Sequence, residues 1–204
     1  MNRNSFTWIF VIAVVGIPVL LFSAVKWYEN NYEKLPVLGG VDHRIEDFKM
    51  MNASGDPVTL KDWNNHIVVA DFFFTHCTAI CPKMTGNIKK VQAAFSGRED
   101  ILFSSFSIDP ERDSVQRLSA YAQKHKINQH NWHLLTGDKK EIYKLARNSF
   151  LVTATDGDGG PDDFIHSDKF VLVDRQKRIR GFYSGTENAD MEKLIKDIKR
   201  LTNE

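Results

Sequence analysis

Both cysteines of the chain fall in one stretch, FTHCTAICPKM, residues 74–84, where His76 precedes Cys77 and Pro82 follows Cys81. Thiols so placed can exchange electrons, hold a soft metal or fill a core. A helix starting at Cys81 would leave unpaired backbone N–H groups near the sulfurs, and their partial positive charge favours thiolate, the form that attacks disulfides and binds metals. On a regular helix, residues four apart carry Cβ atoms about 5–6 Å apart, whereas a disulfide needs about 3.5–4.5 Å. Pairing therefore requires Cys77 to lie outside the helix or the first turn to distort. Two thiolates on one metal need only roughly 4 Å between sulfurs, given metal–sulfur bonds near 2.3 Å. The spacing leans toward metal and leaves redox work open. A structural disulfide or inert packing is the bland alternative, which the polar, helix-starting context disfavours.

Two thiolates leave a metal unsatisfied, and the imidazoles on offer are His43, His66, His76, His125, His130, His133 and His166. His76 adjoins Cys77, and neighbours on a strand point to opposite faces, so it reads as a surface residue or a modulator of thiol acidity. His125, His130 and His133 lack a thiol or carboxylate to complete a zinc set and read as a solvated face. His166 follows the stretch TATDGDGGPDD, residues 153–163, expected to be a mobile loop, and precedes the strand-like KFVLVD. DGDGGPDD resembles a calcium loop only superficially, since Ser167 stands where a bidentate Glu is needed.

The elements that must position these groups follow from hydrophobic spacing. IVVADFFF, residues 67–74, is an unbroken apolar run of strand length, suited to a central strand buried on both faces and ending at Cys77. Met84, Ile88, Val91 and Phe95 recur at helical intervals directly after it. ILFSSFSI, residues 101–108, reads as an alternating strand; in the loop that follows, Asp113 or Ser114 caps a helix whose apolar face is Val115, Leu118, Tyr121 and Ala122. WHLL is a short strand, and Asp138 caps a helix through Ile142, Leu145 and Ala146. RIEDFKMM and PVTL flank the turn NASGD as an opening hairpin ending near Trp63, KFVLVD and IRGFYSG form a closing one, and Met191, Leu194, Ile195, Ile198 and Leu201 line a last helix. Strands alternating with helices predict an α/β mixed sheet flanked by helices, a thioredoxin-like plan. In that plan the loop before KFVLVD faces the helix bearing the thiols. Thioredoxins carry a cis proline there; this chain has Ile165, His166 and Ser167.

With 204 residues, 42% hydrophobic and 26% charged, the chain can fill one core, and a net charge of +1 gives no basic face for nucleic acid. Trp8 to Val25 carries no charge and as a helix would extend about 27 Å, so residues 1–25 read as a single transmembrane helix rather than a cleaved signal, because bulky Phe22 sits where a cleavage site wants a small residue. No cysteine lies near it to carry lipid. Residues 26–43, with Pro36, Gly39 and Gly40, read as a linker, and 44–204 as the domain. Arg3 on one side, against Lys26 offset by Glu29 and Glu33, favours an amino terminus in the cytoplasm and a domain outside it.

Together THCTAICP, SIDPERDS and DFIHSDKFVLVD resemble the Sco/SenC family of copper-binding, membrane-anchored thioredoxin-like proteins, whose pattern is CxxxCP, a DPxRD loop and a histidine roughly 85 residues beyond the second cysteine. The resemblance spans the anchor and essentially the whole domain. It implies Cys77 and Cys81 as thiolate ligands, His166 as the imidazole ligand, and Asp109 near the site. The cargo it implies is copper, Cu(I) foremost and Cu(II) besides, which suits two soft thiolates and an imidazole. The partners would be a copper donor protein and the cytochrome c oxidase subunit carrying the dinuclear copper centre. The place would be a bacterial cytoplasmic membrane, with the domain on the periplasmic side. Thiol–disulfide reduction of the oxidase cysteines, with Cys77 attacking, and redox or copper sensing are the alternatives. Thr78, Ala79 and Ile80 depart from relatives that carry proline and an acidic residue between the cysteines.

Overall fold

The computed structural model describes residues 10–32, 34–152 and 167–204. The chain divides into an N-terminal unit up to Lys34 and a domain, Leu35–Asn203. In the first unit a π-helical turn, Ile12–Gly16, precedes helix α1, Ile17–Tyr32. Pro18 explains the widened turn, since its ring crowds the carbonyl four residues back, at Val14, and it offers no N–H. Among the described residues no helix is long and apolar enough to cross a membrane, so the expected spanning helix over the apolar run is not found as one element. Phe10, Ile12, Leu20, Leu21 and Phe22 are nevertheless all exposed.

The domain holds one seven-stranded sheet in the order β2-β1-β5-β4-β3-β6-β7. Its strands are β1 Lys49–Asn52, β2 Pro57–Thr59, β3 Ile67–Phe73, β4 Ile101–Ser107, β5 Trp132–Thr136, β6 Lys169–Val173 and β7 Ile179–Ser184. The three middle strands β3, β4 and β5 run parallel, and β1, β6 and β7 pair antiparallel to their neighbours. Between them lie α2, Cys81–Ala94, α3, Val115–His125, α4, Lys139–Lys144, and α5, Asn188–Leu201. The mixed sheet with helices on both faces is the thioredoxin-like arrangement expected from the alternation.

Alternation along β3 splits the core in two. Ile67, Val69 and Phe73 face α2, α3 and α5, meeting Met84, Ile88, Leu118 and Leu194, while Val68, Ala70 and Phe72 face Trp63, Ile142 and Phe150. Polar Asp71 therefore falls on the first face, among apolar neighbours and only 2% exposed. All seven residues of β4 are buried, so its serines do not face solvent, because the strand is central and covered on both sides. Ser105 and Ser107 instead donate to Asp71 and Asp113.

Residues 35–45 are docked on the domain. Leu38 bridges to Ile179, and buried Arg180 donates to the carbonyls of Leu35 and Pro36. Ser114, not Asp113, is the cap of α3, accepting from the Arg117 amide at 3.3 Å. Ser114→Ala should lower stability by about 1 kcal/mol, seen as a small fall in thermal midpoint without change in the thiols.

Candidate metal and thiol centre

β3 stops at Phe73 rather than running to Cys77, so the expected strand-end position of Cys77 is corrected to the loop 74–80. Asp113 ends the strand: the Thr75 amide donates to its Oδ2 at 3.0 Å and is thereby taken out of the sheet ladder. β4 likewise ends at Ser107, the register partner of Phe73, so the loop of Cys77 and the loop DPERD leave the sheet side by side.

α2 begins at Cys81 with Pro82 in its first turn, where a missing N–H leaves nothing unpaired. Ile80, at the cap, supplies no side-chain bond to the helix. The sulfur of Cys77 takes that place, accepting the Cys81 N–H at 3.4 Å. Cys77 is thus outside the helix, the condition that its pairing with Cys81 required, and both thiols are free in this structure.

The two sulfurs are unlike. Cys77 is partly exposed, and Cys81 is 3% exposed. Burial pushes the Cys77 thiol up, but hydrogen bonds from the Cys81 thiol and from the amides of Cys81, Ala79 and Ile80 outweigh it and bring the group below its ordinary 9.0. Burial pushes Cys81 up to about 12, assisted by its bond to Cys77 and by the charges of Cys77 and Asp71, against one backbone bond to Phe74. The arrangement presents one acidified, accessible sulfur and one protonated, buried sulfur that donates to it.

Asp71, on the face of β3 that packs against α2, is near enough for its charge to act on Cys81. Burial raises its carboxyl to about 7 despite the Ser105 hydroxyl that bonds it, and Trp132 Nε1 donates in turn to that hydroxyl at 2.9 Å. Burial also raises Tyr121 to about 12, and its hydroxyl shares a hydrogen bond with Thr85.

His166 lies outside the described residues, as does the stretch 153–163. Among the described residues no group of three or more His, Cys, Asp or Glu is set to hold a metal. His76 is engaged elsewhere, 3.2 Å from Arg117 Nη2 and 3.9 Å from Asp113 Oδ1. His43 Nε2 lies 2.8 Å from the Ser149 carbonyl, and His125 packs on the Tyr121 ring at 4.2 Å. His133 is half-buried beside Asp62, whereas His130 is exposed as expected. Asp109 accepts the amides of Arg112 and Asp113 through its carbonyl, so it shapes its own loop. Sequence reasoning missed the roles of Asp71 and Asp113; a lone acid inside the run VVADFFF was the available signal for the first.

A family model described as SCO1/SenC matches residues 39–203. The crystal structure of a SCO1/SenC family lipoprotein from Bacillus anthracis str. Ames is similar, with TM-score 0.70 and 34% identity, over 82% of this chain and 99% of that one. BsSco is a member of the Sco family of cytochrome c oxidase assembly proteins in which a disulfide switch was identified. It gives TM-score 0.70 and 31% identity over 83% of this chain and 97% of its own. ScoI of Bradyrhizobium japonicum, solved with copper bound, shares the fold with TM-score 0.61 and 24% identity over 76% and 98%.

Proposed function

The chain belongs to the SCO1/SenC family, and from that premise we propose that it accepts copper outside the cytoplasmic membrane and passes it to the dinuclear copper centre of a respiratory cytochrome c oxidase. The observation that carries this reading is the Cys77 sulfur set on the start of α2 against Cys81, which puts two soft donors in one place. Cys77 and Cys81 would hold the cargo as thiolates and His166 would supply the imidazole. Loading must expel the proton that burial keeps on Cys81, so binding releases protons and tightens as pH rises. A ligand set of three, rather than a closed cage, also suits a carrier that has to let its cargo go. A copper donor protein would load the site, and the apolar run Trp8–Val25, whose described large side chains from Phe10 on are exposed, would anchor the domain at the membrane.

The test is a Cu(I) titration of the fully reduced protein against a competing chelator. One copper per chain is expected, with affinity weakened at least tenfold by His166→Ala. An unchanged affinity and spectrum in that variant would remove His166 from the ligand set, and no binding by the parent would remove the delivery reading.

The inequivalence of the thiols favours one second reading, thiol–disulfide reduction of a partner's copper-binding cysteines. Cys77 would attack as thiolate and Cys81 would resolve the mixed disulfide, leaving Cys77–Cys81 oxidised and the partner reduced. That reading expects the reduced chain, without copper, to reduce one disulfide of an oxidised target peptide per chain, with Cys77–Cys81 oxidised in exchange.

A further inference from the structure

The loop 74–80 carries Cys77, whose amide reaches the Phe74 carbonyl at 3.3 Å and whose sulfur accepts the Cys81 N–H at 3.4 Å. A further tether comes from 38 residues away. Asp113 is 0% exposed and accepts three hydrogen bonds, two of them from Thr75, through the amide at 3.0 Å and the hydroxyl at 2.5 Å. The third comes from the Ser107 hydroxyl at 2.6 Å. Arg117, from the first turn of α3, lies over the same point, with Nε 3.3 Å from Thr75 Oγ1 and Nη2 3.2 Å from His76 Nε2.

We propose that Asp113 is a positioning residue for the thiol pair: by gripping Thr75, two residues before Cys77, it fixes where the loop delivers the Cys77 sulfur relative to the start of α2. Two bonds from one carboxylate to the amide and hydroxyl of a single residue fix that residue's place and its rotation together, which one bond would not do. From Thr75 only two backbone steps separate the grip from Cys77, while the other end of the loop is set by the helix. The sulfur then stays within reach of the Cys81 amide because both ends of a short segment are fixed. This adds a residue to the reading of Cys77 as the partly exposed, accessible thiol of the pair, on which it rests.

The experiment is alkylation of the reduced, metal-free full chain at fixed pH, with the Cys77 to Cys81 modification ratio read by mass spectrometry and thermal stability read beside it. Thr75→Val removes the hydroxyl grip and leaves Asp113 intact, Thr75→Ser restores it, and Ser107→Ala removes a bond to Asp113 that does not touch the loop. Thr75→Val and Asp113→Ala should each lower the ratio about tenfold or more, the scale of one lost hydrogen bond to a charged group. Thr75→Ser and Ser107→Ala should keep the ratio within twofold, even where Ser107→Ala lowers the melting temperature. If Thr75→Val and Asp113→Ala lower stability only, with the ratio unmoved, Asp113 is a purely structural buried acid and the proposal is overturned. Should Asp113→Ala not fold, the Thr75 pair decides alone. Copper affinity is not read in this assay, so a parent protein that binds no copper would sink the delivery reading and leave this result standing.

Discussion

At pH 7.5, with both thiols reduced, iodoacetamide should modify Cys77 at least about 30 times faster than Cys81. The thiolate is the reacting species, and Cys77 lies below 9.0 while Cys81 stands at about 12. That gap alone makes the thiolate fraction of Cys77 more than about 1000 times larger. Intrinsic nucleophilicity works in the opposite direction, since a more acidic thiol gives a weaker nucleophile with a Brønsted slope of about 0.4–0.5, and this removes roughly half of the logarithm. About 30-fold is what remains, before burial of Cys81 at 3% exposure slows the reagent further. Tandem mass spectrometry of the labelled peptide separates the two sites. Equal labelling would mean that the hydrogen bonds converging on the Cys77 sulfur do not form in solution. It would also remove the division into attacking and resolving sulfur on which the reductase reading stands.

Asp71→Asn should stabilise the protein by roughly 4 kcal/mol at pH 8 and leave it nearly unchanged near pH 4. The carboxyl of Asp71 has an ordinary value of 3.8 and is raised to about 7 in the folded protein, first by burial and against the opposing bond from Ser105. A raised acid binds its proton more tightly folded than unfolded. Its contribution is therefore fully present below pH 3.8, fades as pH rises, and is gone once pH passes about 7, because folding above that point must bury an anion. The difference between 3.8 and about 7 corresponds to roughly 4 kcal/mol. Asparagine carries no charge to bury at any pH and keeps an acceptor for the Ser105 hydroxyl. Chemical denaturation at several pH values measures both proteins, and subtracting the curves cancels every other titrating group they share. Parallel curves from pH 4 to 8 would show that Asp71 is not held protonated, and that something in solution pairs with its charge.

The native protein retains this acid on the face of β3 that packs against α2, where an amide would be more stable at neutral pH. Its charge is also among the influences that keep the proton on Cys81. A residue that weakens the fold while acting on a thiol is placed as functional groups commonly are, at some expense in stability.

Whatever depends on neighbours along the chain was legible in the sequence. The unbroken apolar run of β3, the helical spacing of Met84, Ile88, Val91 and Phe95, the cap at Asp138 and the two terminal hairpins all follow from local burial patterns, which repeat with the period of the element itself. So did the two cysteines flanking a helix start, because Pro82 marks it. Tertiary structure decided the rest. The serines of β4 are buried on both faces because the strand is central, which nothing in ILFSSFSI itself announces. β3 ends before Cys77 because a carboxylate 38 residues later takes the Thr75 amide. Two cysteines identical in type become a partly exposed, acidified thiol and a buried, protonated one, since acidity is set by desolvation and by the donors that packing brings near, and neither has a period that a sequence can display.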